Sequence, residues 1–202
     1  MVGVKRFAAT AEVDERASVG EGSVVGNLAQ IREYAVLGSE CLVGRGAYIG
    51  PGVRIGDRVK VENHALVYEP AVLEDGVFIG PAAVLTNDPY PRATAPDGRL
   101  RGAQDREAVG VTVREGASIG ARAVVVAGVT VGRWAMVAAG AVVTTDVPEF
   151  AVVAGSPARR VNWVGRAGVP LTLVDHVSGR WWQCPKTGEC YLERDGILEF
   201  QI

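Results

Sequence analysis

The stretch IGPGVRIGDRVKVENHALVYEPAVLEDGVFIG, residues 49–80, repeats one unit of six: an aliphatic residue, often a glycine behind it, and a small residue or valine four positions on. Stepped by six from Val13, the aliphatic position holds Val19, Val25, Ile31, Leu37, Val43, Ile49, Ile55, Val61, Val67, Leu73, Ile79 and Leu85. The small position runs from Ala17 and Ser23 to Val77 and Ala83, and fails at Pro89. The pattern resumes at Val113 and continues through Ile119, Val125, Val131, Val137 and Val143. From Leu85 to Val113 is 28 positions, which six does not divide, so residues 86–112 are an insertion that resets the phase.

A helix needs apolar spacing near 3.6 and tolerates few glycines and β-branched residues, whereas short strands separated by turns accept both. A period of six with an inward aliphatic predicts a β-helix, each flat strand stacking on its equivalent about 4.8 Å along the axis. Three hexads close one triangular coil, with the large aliphatic inside and the small residue near a corner. Gly20, Gly26, Gly38, Gly44, Gly50, Gly56 and Gly80 follow the aliphatics and are expected to ease the turns, some through positive φ.

Composition agrees with such a prism: 26 glycines and 48% hydrophobic residues, of which few are aromatic, in 202 residues. A chain of this length buries roughly 70% of its unfolded surface without a disulfide framework. A net charge of -2 provides no broad basic field for nucleic acid. No run of eighteen apolar residues and no signal-like start is present, and three cysteines fit reduced thiols, so a cytoplasmic protein without a membrane segment is expected.

The repeat resembles that of the hexapeptide-repeat acyltransferases over residues 13 to about 165. That resemblance implies an all-β fold, a left-handed parallel β-helix with an external loop and a small C-terminal helix/β-hairpin appendage. The β-helix with its inserted loop is assigned to residues 1–148 and the appendage to residues 149–202. The family also implies a homotrimer with active sites between subunits. A narrower resemblance, carried by LEDGVFIGP (73–81), TNDPYPRA (86–93) and AGSPAR (154–159), is to N-acetyltransferases of nucleotide-linked 3-amino sugars, of the UDP-2-acetamido-3-amino-2,3-dideoxyglucuronate type. It implies acetyl-CoA as co-substrate and no metal.

An amine attacking a thioester passes through a tetrahedral oxyanion, which calls for a group to orient the amine, a donor for the oxyanion and a route for the surplus proton. Asn87 and Asp88, where the coil opens into the insertion, are candidates to orient the amine; the alternative is an Asx turn. His64 is a candidate base, a polar substrate contact or an exposed corner residue, and the resembled subfamily commonly has Asn there. Glu62, where the subfamily has Gln, attracts an ammonium group or is a solvated strand charge. Gln30, Arg32 and Glu33 offer base and phosphate partners unless they are ordinary outward residues, and the neighbouring GNLA (26–29) departs from the subfamily's aromatic and histidine. Arg92 is a candidate diphosphate contact or a structural loop arginine.

For acetyl-CoA, the resemblance implies backbone contacts along the later coils, at Gly120, Ala121, Ala139 and Gly140. Gly155, Pro157, Arg159 and Arg160 in the basic turn after the last coil are candidates for the phosphates of its tail, against a basic turn opening a terminal helix. Beyond it, ARRVNWVGRAG (158–168) reads as a short helical or irregular segment, and residues 180–200 as two hairpins turning at PKTG and RDG. CPKTG resembles a zinc-ribbon turn, but Thr187 stands where the second thiol is needed, so Cys184 and Cys190 are not expected to hold a metal. A hexapeptide-fold carbonic anhydrase is excluded because its zinc takes three histidines and this chain has His64 and His176 alone. Two other readings compete with the amino-sugar N-acetyltransferase. One is an O-acetyltransferase that needs His64, because a hydroxyl loses its proton as it attacks; the other is a non-catalytic scaffold.

Overall fold

The computed structural model describes residues 5–174 and 179–201, so His176 lies outside the described residues. Each hexad forms a two-residue strand whose second residue points inward. Ile31, Ile49, Val67, Ile79 and Leu85 are all 1% exposed or less, while their preceding neighbours face out. Equivalent strands stack in parallel at a spacing of three hexads, so that Lys60 lies between Leu42 and Phe78. Among the described residues three sheets result, of nine, seven and six strands, the ninth strand of the first being an antiparallel addition at its end. They are the faces of a left-handed parallel β-helix. The first face contains Lys60–Val61, the second Leu66–Val67 and the third Val72–Leu73, a sequence of rungs that recurs coil after coil.

The prism starts one rung earlier than the aliphatic pattern, since Arg6–Phe7 pairs with Val24–Val25. Phe7 is 45% exposed, which is why the inward pattern is weak there. Small residues at the second inward position, such as Ala29, Ala65 and Ala83, are wholly buried as expected.

The glycines behind the aliphatics act differently from expectation. They do not take positive φ; instead a Cβ on Gly80 would lie 2.7 Å from the Ala121 nitrogen of the next coil, and one on Gly20 would lie 2.4 Å from the Gly38 carbonyl. Close approach of successive coils therefore excludes a side chain there. Positive φ falls at the second residue of most turns, where His64 (60°), Tyr34 (61°) and Arg122 (57°) adopt it without being glycine; Pro70, whose ring fixes φ, is an exception.

The insertion leaves from the second face after Val84–Leu85 and returns to the third at Thr112–Val113. Thr112 pairs with Val72, so the third face keeps its register across the loop. The loop's one helical turn is a short 3-10 piece, Ala103–Asp105.

The appendage holds no helix among the described residues. Ala158–Trp163, expected as helical or irregular, is a strand that folds back antiparallel on Ala151–Gly155. That hairpin gives the end of the first face backbone partners it would otherwise lack, a tertiary gain that outweighs local preference. Thr172–Val174, Arg180–Gln183, Cys190–Arg194 and Ile197–Gln201 then make an antiparallel four-stranded sheet, with the two later turns at PKTG and RDG as read. Tyr191 from this sheet is buried against Phe150 of the last coil, ring centroids 5.3 Å apart. No helix among the described residues is long and apolar enough to cross a membrane.

Candidate active site

Because turns follow faces in fixed order, every corner residue belongs to one of three edges. His64 stands on the edge between the first and second faces; Glu33, Glu69 and Asn87 stand on the edge between the second and third. Within one chain the structure does not bring His64 and Asn87 together. His64 and Glu69 lie at opposite ends of the same rung of the second face, five residues apart along the chain, and Asn87 lies one coil above Glu69.

At the second edge the loop is fastened on both sides. Asn87 is 6% exposed, and its Nδ2 donates to the Glu69 carbonyl oxygen at 2.7 Å. The Val109 N–H donates to the Asn87 carbonyl at 3.0 Å, closing the neck of the loop. Thr86 Oγ1 accepts the Ala127 N–H of the coil above at 2.9 Å. Arg106, late in the loop, returns to Glu69 Oε1 at 2.7 Å. Among the described residues Asn87 Oδ1 takes no hydrogen bond, which leaves an acceptor for a ligand at the loop root.

Glu69 was not singled out from the sequence, yet it stands three hexads before Asn87, so the period alone puts it one coil below. Its carboxylate folds over Gly50, where a Cβ would lie 2.5 Å from Oε2, and that oxygen is buried with no partner among the described residues. Tyr48 lies on the adjoining rung; burial, and then the Glu69 charge, hold its phenol above the ordinary value. Its ring meets Tyr68 at 5.3 Å between centroids. Gln30 and Arg32 lie further down the same face, where Gln30 Nε2 donates to Glu12 at 2.7 Å and Arg32 pairs with Glu33 at 3.0 Å.

In the loop, Asp88 Oδ1 accepts the Tyr90 N–H at 2.9 Å, the Asx-type contact weighed as its alternative role. Arg92 Nη1 donates only to the neighbouring Pro91 carbonyl, at 3.2 Å. Glu62 follows a strand of the first face, on the approach to the His64 edge.

The cofactor candidates divide into two groups. Gly120, Ala121, Ala139 and Gly140 line the upper part of the same edge as His64, with the Gly140 N–H donating to the Ala121 carbonyl at 2.9 Å. Gly140 has φ 70° and open space on its Cβ side. Gly155 and Pro157 form the turn between Ala151–Gly155 and Ala158–Trp163, and Arg159 Nη1 bonds only the Ala158 carbonyl. Arg160 is engaged within the fold: its guanidinium lies 4.3 Å from the Trp163 ring centroid and 3.8 Å from Glu193.

Two family models match the coil. "Bacterial transferase hexapeptide (six repeats)" covers residues 34–69 and "Hexapeptide repeat of succinyl-transferase" covers residues 110–145, one on each side of the loop. Over these two stretches the coil is similar to hexapeptide-repeat transferases. Comparison with curated proteins finds no match. Among solved structures, the hexapeptide-repeat chain is similar to the acetyltransferase domain of PglB from Neisseria gonorrhoeae, at 25% identity and TM-score 0.51 over 78% of this chain and 58% of that one. It shares its fold with WeeI from Acinetobacter baumannii (22% identity, TM-score 0.50, 76% of this chain and 56% of that one). It also shares it with LpxA, a UDP-N-acetylglucosamine acyltransferase from Bacteroides fragilis (15% identity, TM-score 0.63, 79% and 61%). The chain thus spans between 56% and 61% of the length of these three.

Proposed function

We propose that this hexapeptide-repeat protein is an acyltransferase, and specifically an acetyl-CoA-dependent N-acetyltransferase acting on the 3-amino group of a UDP- or dTDP-linked amino sugar. The observation that carries the reading is the loop root. A buried asparagine with a free Oδ1 sits where the coil opens beneath an arginine-rich loop, in a chain similar to an acetyltransferase domain.

In this reading Asn87 Oδ1 accepts an N–H of the neutral sugar amine and aims its lone pair at the acetyl carbonyl carbon. The N–C bond forms, the oxyanion collapses, the C–S bond breaks, and the departing thiolate carries away the proton the nitrogen sheds. No side-chain base is required. Acetyl-CoA lies along the edge of Ala121, Ala139 and Gly140, where small residues open the main chain to a ligand.

The active unit is a homotrimer. The outward residues of five successive rungs on the second face, Tyr48, Leu66, Val84, Val124 and Val142, form a half-buried apolar ladder suited to a neighbouring prism. Tyr90 and Leu100 stand out from the loop at 83% and 77% exposure, as residues that meet a second subunit would. A closed ring also lets one subunit's Asn87 edge meet a neighbour's cofactor edge.

A second reading, O-acetyl transfer, is favoured by one observation: His64 shares its edge with the cofactor candidates Ala121, Ala139 and Gly140. The deciding experiment is thiol release from acetyl-CoA with a panel of UDP- and dTDP-linked 3-amino and 4-amino sugars, alongside hydroxyl acceptors. Turnover on a 3-amino sugar supports N-acetylation. Silence on every amine with turnover on a hydroxyl overturns it.

A further inference from the structure

Three guanidinium groups converge within the loop. Arg92, Arg101 and Arg106, with Asp88 and Gly102, line an open cavity of about 340 Å³. A second hollow, of about 580 Å³, shares Arg92 and Arg101 with it and is bounded by Thr94, Arg99 and Asp105.

The charges there are unevenly matched. Asp105 is taken by Arg99, at 2.6 Å and 2.8 Å in a two-pronged contact, and Arg106 gives one Nη to Glu69. Arg101 donates only to main-chain oxygens, those of Tyr90 and Asp105, and Arg92 only to that of Pro91. Asp88, the one carboxylate lining the smaller cavity, already accepts the Tyr90 N–H. Neither Arg92 nor Arg101 therefore makes a direct ion pair with a carboxylate among the described residues, although Arg101 lies close enough to Asp105 for its charge to act on that carboxyl. Guanidinium forks held this way match the paired oxygens of phosphates. Main-chain contacts also pre-position Arg101, so less of its freedom is lost on binding.

We infer that Arg92, Arg101 and Arg106 form a binding site for the diphosphate of the sugar nucleotide, with the adjoining hollow holding part of the rest of that molecule. Arg101 and Arg106 thereby join Arg92 as substrate-recognition residues. The inference rests on the proposed function for the source of the diphosphate, but the cavity itself is testable without it.

The test is calorimetric titration of the full-length protein with inorganic pyrophosphate, followed by competition with UDP, dTDP, GDP and CoA. Arg92→Met is the principal variant, because its side chain supports nothing but its neighbour's carbonyl. Arg133→Met, a surface arginine paired with Glu115 on another edge, controls for net charge. Pyrophosphate binding at least tenfold weaker in Arg92→Met, unchanged in Arg133→Met and displaced by a nucleoside diphosphate is the expected result. Equal weakening in both variants, or no pyrophosphate binding to the parent, would overturn the site. Displacement by CoA and by no nucleoside diphosphate would overturn its assignment to the sugar nucleotide. Loss of acetyl transfer with pyrophosphate binding intact would fail the proposed function and leave the cavity standing.

Discussion

Asn87 and Glu69, three hexads apart, are joined by a 2.7 Å hydrogen bond from the Asn87 side chain to the Glu69 carbonyl oxygen, and the Glu69 carboxylate in turn holds Arg106. One pair of residues thus fastens both the beginning and the end of the loop to the coil below.

Replacing Asn87 with alanine leaves the half-buried Glu69 carbonyl without its donor, at a cost of about 1 kcal/mol. The same change removes the free Oδ1, so acetyl transfer to an amine is expected to fall by about a hundredfold. Glu69→Gln keeps the main-chain acceptor but weakens the grip on Arg106. It is expected to leave global stability nearly unchanged while trypsin cuts faster at the loop arginines. Denaturant titration and timed proteolysis separate the two; equal proteolysis in parent and Glu69→Gln would refute the fastening role.

His64 is exposed, with φ 60°, a conformation that asparagine adopts more readily than most residues. His64→Asn should therefore fold as the parent does and retain amine acetylation within about threefold, since the thiolate takes the proton. His64→Val places a β-branched residue in the left-handed region and should cost roughly 1–2 kcal/mol. A hundredfold loss of amine turnover in His64→Asn would make the histidine a base after all.

Two glycines on one edge should respond differently to alanine. At Gly80 a Cβ meets three main-chain atoms of the next coil at 2.7 Å to 2.8 Å, whereas at Gly140 it meets nothing within 4 Å. Gly80→Ala must force the coils apart and should cost about 3 kcal/mol or more. Gly140→Ala incurs only its positive φ, about 1 kcal/mol. Thermal unfolding of both variants checks the order.

The Arg99 guanidinium, and then the Gly102 N–H, hold the Asp105 carboxyl down to about 2. A lowered folded pKa means stability that is present above the ordinary value of 3.8 and lost as pH falls through about 2. The loop is accordingly expected to keep this contact at pH 4 and release it only near pH 2. An NMR titration of the Asp105 carboxyl reads the midpoint directly; a value near 3.8 would mean that the pair does not persist in solution.

The coil is legible in the chain's periodicity alone. An inward aliphatic every six residues, with small residues between, admits one arrangement because each side chain's environment is set by the equivalent rung above and below. The same arithmetic located the insertion, and it could have found Glu69 beneath Asn87. Periodicity does not carry the rest. The glycines behind the aliphatics proved to be sites of close approach, since the neighbour that excludes a Cβ lies eighteen or more residues away. Ala158–Trp163 became a strand because the first face offered it an open edge. The partition of His64 and Asn87 onto different edges, and the gathering of Arg92, Arg101 and Arg106 around one cavity, depend on how a non-repeating loop folds back on itself. Such contacts arise from pairings that no repeat specifies.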